Sequence, residues 1–169
     1  MFFSSALLIL SSCSKNTDGN PAPIPGTTTD VDGNLYHSVT IGTQVWMVEN
    51  LKTTKYNDGS SIPLVTDSIA WINMTTPGYC WYHNNAAAYK NTYGALYNWY
   101  AVNTGKLAPT GWHVPTDAEW TILVAYLGGE LLAGGRIAWY RYLGYRYSGI
   151  FRYYDTKNDG FSVRCIRDN

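Results

Sequence analysis

The chain has 169 residues, enough for one domain with a sizeable core, and its formal net charge is zero. That balance removes any general electrostatic case for nucleic acid or an anionic membrane as partner. Only 14% of residues are charged while 15% are aromatic, which excludes a disordered chain and suits an extracellular β-rich or α+β module with Gly and Asn at its turns.

The first apolar run, Ala6-Leu7-Leu8-Ile9-Leu10, is far shorter than the about 20 residues a membrane span needs. It fits the hydrophobic part of a secretory signal, although no Lys or Arg precedes it. Ser11-Ser12 before Cys13 resembles the bacterial lipobox, so residues 1–12 are expected to be a lipoprotein-type signal and Cys13 the lipid anchor. Residues 13–30, with Pro21, Pro23 and Pro25 among Ser, Asn, Thr and Gly, read as a flexible tether. Residues 31–169 are expected to form a single domain.

Residues 34–41 alternate, with Leu35, His37, Val39 and Ile41 on one side and Tyr36, Ser38 and Thr40 on the other. Gly42-Thr43 then leads into Gln44-Val45-Trp46-Met47-Val48, which predicts a β-hairpin. Asp30-Val31-Asp32-Gly33 resembles the opening of a calcium loop, but the downstream ligands ending in a bidentate Glu are missing, so a plain turn is expected. Residues 51–78 read mostly as loop, with a short capped turn near Asp67 and Trp71. Gly78-Tyr79-Cys80-Trp81-Tyr82 reads as a brief strand, turned by His83-Asn84-Asn85 and followed by a short coil at Ala86-Ala87-Ala88-Tyr89-Lys90.

Two longer helices are expected. Asn91 would cap the first, over residues 92–102, with Tyr93, Leu96, Tyr97 and Tyr100 on one face and Gly94 costing about 1 kcal/mol inside it. The second begins at Gly111-Trp112-His113-Val114-Pro115-Thr116-Asp117-Ala118-Glu119-Trp120, where Thr116 and Glu119 have the spacing of a capping box. Trp120, Leu123, Val124 and Leu127 then recur on one face until Gly128-Gly129. Beyond them the period changes to two. Residues 138–146, 150–154 and 161–165 predict three strands of an antiparallel meander.

No enzymatic template is met, so no catalytic residue, metal or cofactor is expected. His37, His83 and His113 share no metal-binding spacing, and no nucleophile elbow or phosphate loop is present. His113 reads as a structural hydrogen-bonding side chain. In an exported protein Cys80 and Cys165 are disulfide candidates, closing a loop of about 85 residues for ~4 kcal/mol of stabilisation, against the alternative of two buried thiols. The candidate ligand-binding residues lie in the last strands: Tyr140, Arg141, Tyr142, Tyr145, Arg146, Tyr147, Arg152, Tyr153 and Tyr154. Tyr and Arg are enriched where proteins contact partners, because large rigid rings give contact area at low entropic cost, while Tyr also has high β-propensity, so alternate positions are expected to pack inside and the other face to bind.

Five segments in order resemble the Fibrobacter succinogenes major paralogous domain family. They are Asp32-Gly33-Asn34-Leu35-Tyr36, Ile41-Gly42-Thr43-Gln44-Val45-Trp46-Met47-Val48-Glu49-Asn50-Leu51, Tyr93-Gly94-Ala95-Leu96-Tyr97-Asn98-Trp99, the Gly111–Trp120 stretch quoted above, and Gly160-Phe161-Ser162-Val163-Arg164-Cys165. The resemblance spans roughly residues 30–168. It implies a secreted or lipid-anchored bacterial surface protein of α+β class, with two helices packed on antiparallel sheets in a C-type lectin-like fold related to formylglycine-generating-enzyme-like domains. The family brings no catalytic residues. Ala108 stands where members often carry a Cys. Gly134-Gly135 also runs almost directly into Ile137-Ala138-Trp139-Tyr140, where members have several tens of residues more, which implies an internal deletion.

The expected function is a non-enzymatic cell-surface module that binds an extracellular glycan or protein through its Tyr/Arg strands. Nucleic acid is not an expected partner, and the membrane is reached only through the lipid anchor, on the outer membrane or cell surface. Two further readings stay open: a structural envelope protein without a ligand, and an enzyme related to the formylglycine-generating or carbohydrate-active folds.

Overall fold

The first hairpin forms as its alternation requires. Strand β2 (Leu35–Ile41) pairs antiparallel with β3 (Gln44–Met47) across the Gly42-Thr43 turn, with Ile41 opposite Gln44. The computed structural model describes residues 26–126, 139–143, 150–154 and 157–168, and for 139–143 and 150–154 it describes the backbone. Strand β1 (Thr27–Thr29) lies against β2, so the domain starts inside the segment read as tether.

Of the two sides of β2, the one carrying Tyr36 meets the core. Tyr36 is fully buried, whereas Leu35 and Val39 are exposed. Two hydrogen bonds permit this burial of a phenol: Tyr36 Oη donates to Asp30 Oδ2 at 2.6 Å and accepts from the Lys52 N–H at 2.8 Å.

The following loops carry short elements: α1 (Ser68–Ile72), capped by Asp67, β4 (Tyr79–Cys80) and a 3-10 turn over Tyr82–Asn84. The single helix expected over residues 92–102 is replaced by three elements. Helix α2 (Ala86–Tyr93) starts at Asn85 and stops at Gly94; β5 (Leu96–Tyr97) follows; α3 (Trp99–Val102) is capped by Asn98. Gly94 is the reason. Its φ is +72°, and a Cβ there would stand 2.3 Å from the Leu51 carbonyl oxygen, the acceptor of the Ala95 N–H. The backbone of residue 51 therefore breaks the helix, and helical spacing could not reveal so distant a partner.

Strand β6 (Trp112–His113) and helix α4 (Asp117–Tyr126) follow. Leu123 of α4 is buried with Trp46 and Ile166, Val124 is buried as well, and the Trp120 ring packs on Trp46 at 4.9 Å between centroids. Gln44 Nε2 donates to the Glu119 carbonyl at 3.0 Å, which fixes α4 against the hairpin. Leu127 and Gly128-Gly129 lie outside the described residues.

Strand β7 (Trp139–Leu143) pairs with β8 (Ile150–Tyr154), but the expected three-strand meander does not form. Strand β9 (Phe161–Ser162) pairs with β5 instead, and β10 (Ile166–Arg167) lies between β3 and β6. The sheets are β1-β2-β3-β10-β6, β4-β5-β9 and the ribbon β7-β8, all antiparallel. The class is α+β, with four α-helices among the described residues where two were expected. The main core gathers Tyr36, Met47, Leu51, Tyr97, Leu107 and Cys165 between the sheets and the loops. No helix among the described residues is long and apolar enough to cross a membrane.

Gly94→Ala should lower unfolding free energy by about 2–4 kcal/mol in urea denaturation, because a left-handed backbone and a close carbonyl act together. Gly105→Ala, also at positive φ (+69°) but in open space, should cost only about 1–2 kcal/mol.

Candidate functional site

Several carboxylates of the described body are committed to donors of the protein itself. Asp30, 8% exposed, accepts from the N–H groups of Asp32 and Asn34 through Oδ1 and from Asn34 Nδ2 and Tyr36 Oη through Oδ2. Asp32 accepts from Thr54 N–H at 2.6 Å and Thr54 Oγ1 at 2.8 Å, with Lys55 Nζ at 3.2 Å. Partial burial acts to raise the Asp32 pKa, but the Thr54 and Lys55 interactions outweigh it and lower the value overall. Both carboxylates of the calcium-loop lookalike are thus satisfied by protein donors, and the segment is a turn that anchors β2 to residues 52–55. Among the described residues no His, Cys, Asp or Glu group is arranged to hold a metal.

At the start of α4 the capping box closes in both directions. Thr116 N–H donates to Glu119 Oε2 at 2.8 Å, and Glu119 N–H donates to Thr116 Oγ1 at 3.3 Å. Glu119 Oε1 also meets His113 Nε2 at 2.7 Å, while His113 Nδ1 meets Asp168 Oδ1 at 2.6 Å. Partial burial disfavours charge on the ring, but the two carboxylates outweigh it and raise the His113 pKa from its usual 6.5. With a carboxylate on each nitrogen the imidazolium donates twice and has no lone pair to act as a base. His113 therefore ties the last strand to the α4 cap. His37 sits on Glu49 at 2.6 Å, and the His83 ring lies against Tyr82.

Cys80 and Cys165 are free thiols, so the candidate disulfide is not made. Cys80 belongs to β4, whereas Cys165 lies beyond β9, in the main core, with its carbonyl bound by the Met47 N–H of the other sheet. Burial raises both thiol pKa values, which favours the protonated form at neutral pH. Ala108 packs in the same cluster as Cys165.

The candidate binding residues divide by position. Tyr140, Arg141 and Tyr142 lie on β7, and Arg152, Tyr153 and Tyr154 on β8; Tyr145, Arg146 and Tyr147 lie outside the described residues, as does Cys13. The register sets Trp139 opposite Tyr154, Tyr140 opposite Tyr153, Arg141 opposite Arg152, Tyr142 opposite Phe151 and Leu143 opposite Ile150. Opposed residues share a face and successive residues alternate between faces. One face of the ribbon therefore carries Tyr140, Tyr142, Phe151 and Tyr153, and the other carries Trp139, Arg141, Arg152 and Tyr154. The register thus divides the six described candidates between the two faces of the ribbon.

A second surface escaped the sequence reading. An open cleft of about 270 Å³ is lined by Trp71, Cys80, Trp81, Tyr82, His83 and Asn84, among others. His83 and Asn84 hold positive φ values of 51° and 52°, uncommon for non-glycine residues and frequent at functional positions. The signal available in the sequence was the His83-Asn84-Asn85 turn between aromatic residues, which suggests a turn but no cavity.

These small antiparallel sheets, the capped α4 and the returning last strand define an α+β domain. The chain belongs to the Fibrobacter succinogenes major domain family: the model of that family matches residues 39–141. The match begins inside β2 and ends inside β7, a shorter span than the five motifs cover. No curated protein and no solved structure matches.

Two outcomes are expected from these networks. Tyr36→Phe should cost about 1–3 kcal/mol, because it strips a donor from Asp30 and leaves the Lys52 N–H without its acceptor; thermal melting reads it. His113 has a raised folded pKa, so its stabilisation is full below about 6.5 and fades as pH rises through the folded value. Against wild type, His113→Gln should therefore lose stability near pH 6, by no more than about 1 kcal/mol for so exposed a ring, and the difference should shrink towards pH 9.

Proposed function

We propose that this chain is a non-enzymatic, lipid-anchored cell-surface module that binds an extracellular glycan or protein through the β7–β8 ribbon. The observation that carries this reading is the register, which gathers six of the candidate Tyr and Arg residues into one two-stranded sheet. Among the described strands that sheet pairs with nothing else, while in the body Asp30 is bound by Tyr36 and His113 by Glu119 and Asp168. Large aromatic and Arg side chains supply contact area and hydrogen-bond donors together.

The finer fold reading, C-type lectin-like and related to formylglycine-generating-enzyme-like domains, belongs to the same proposal. It draws support from the antiparallel sheets and from the last strand closing onto the first hairpin. Relative to other family members the chain is a shortened version, missing residues between Gly135 and Trp139. Residues 1–12 act as the export signal and Cys13 carries the lipid.

The purified chain on glycan and protein arrays tests the reading. Selective binding is expected, weakened by at least about ten-fold (~1.4 kcal/mol) in each of Tyr140→Ala, Arg141→Ala and Tyr142→Ala. Binding that survives these changes but is lost in Trp71→Ala or Trp81→Ala would move the site to the cleft. A folded chain that binds nothing would favour a structural envelope role.

A further inference from the structure

We propose that the Arg-bearing face of the β7–β8 ribbon selects an anionic glycan, one carrying carboxylate or sulfate groups. This rests on the reading of the ribbon as the binding surface and names what that surface prefers. The register places Arg141 directly opposite Arg152. Like charges at opposed positions of an antiparallel pair destabilise it. The neighbouring pairs on that face, Trp139 with Tyr154 and Leu143 with Ile150, hold no acid that would offset the repulsion.

The charge is also concentrated in sequence. From Trp139 to Tyr154 there are three arginines, Arg141, Arg146 and Arg152, and no Asp or Glu, in a chain whose total charge is zero. A chain of zero net charge thus sets a like-charged pair at the centre of the β7–β8 register. An anion bound there relieves the repulsion, and a guanidinium pairs with planar oxyanions through two parallel hydrogen bonds.

The rest of the face favours a sugar as the carrier of that anion. Trp139 and Tyr154 occupy the adjacent opposed position, about 7 Å along the strands. An aromatic pair beside an arginine pair matches a polymer in which ring faces and acidic groups recur together. An acidic peptide would satisfy the arginines but leaves the aromatic row less well used.

The full chain is titrated calorimetrically with polygalacturonate and its methyl ester, dextran sulfate and dextran, and poly-L-glutamate. At least one acidic polysaccharide should bind about ten-fold or more tightly than its neutral counterpart, and the affinity should fall as salt rises. The carboxylate and sulfate arms show which group is preferred. Arg141→Gln and Arg152→Gln should each lose about ten-fold in affinity, while Arg167→Gln, on β10, should keep it.

Arg152→Glu gives a readout independent of binding. It replaces a like pair by an opposite pair, so it should abolish acidic-polymer binding while raising the melting temperature. Equal affinity for the acidic and neutral polymers, with loss in Tyr140→Ala, would overturn the anionic preference and leave the ribbon reading standing. Tighter binding of poly-L-glutamate than of either acidic polysaccharide would overturn it in favour of a peptide. Silence towards all five probes would overturn it as well; silence on the arrays too would remove the ribbon reading with it.

Discussion

The segment 161–167 holds the two larger sheets together. Phe161 and Ser162 extend the sheet of β4 and β5, the Val163 carbonyl accepts from Leu51 at 2.7 Å, and the Cys165 carbonyl accepts from Met47 at 2.9 Å. Ile166 then stands between Trp46 and His113 as the strand that joins β3 to β6. Val163, Cys165 and Ile166 are all buried. Every one of these pairings crosses a large part of the chain, so loop-closure entropy is lost before the contacts form. Val163 and Cys165 of this segment are part of the main core.

The same closure explains why polar side chains are so fully used inside the body. Bringing residues 30–36, 50–55 and 163–168 together buries hydroxyls and carboxylates that need partners. Tyr36 serves Asp30 and Lys52, and Tyr97 Oη donates to the Thr53 carbonyl at 2.7 Å. At the far side His113 joins Glu119 of the α4 cap to Asp168 after the last strand. Groups that resemble chemistry when read singly, an Asp-x-Asp-Gly turn or a histidine before a helix, are joints of the scaffold. The ribbon proposed for recognition and the aromatic cleft take no part in these networks.

Much of the fold was legible where the deciding contacts are short. The hairpin over residues 35–47, the helix after Thr116 and the capped turn at Asp67 follow from alternation, turn chemistry and side chains that reach three residues along the backbone. The helix read over residues 92–102 failed for the opposite reason. Its apolar spacing was sound, but the Leu51 carbonyl lies against Gly94, and strands β4 and β9 claim Leu96 and Tyr97. The three-strand meander failed likewise, since Phe161 and Ser162 find a better-placed partner in β5 than in β8. The candidate site was legible as composition and alternation: the tyrosines and arginines were visible, but the register that sets Arg141 opposite Arg152 was not.

The sequence by itself determined the elements that local physics closes: the β2–β3 hairpin, the capped α4, the family to which the chain belongs and an aromatic, arginine-rich C-terminal stretch. The tertiary structure decided which strand pairs with which, that the Tyr36 side of β2 is the inner one, that Cys80 and Cys165 stay apart, and that Arg141 faces Arg152 across the ribbon. Those outcomes depend on register and burial between distant segments. A one-residue shift in register moves every side chain to the other face, and no pattern within a single strand records which register its partner will take.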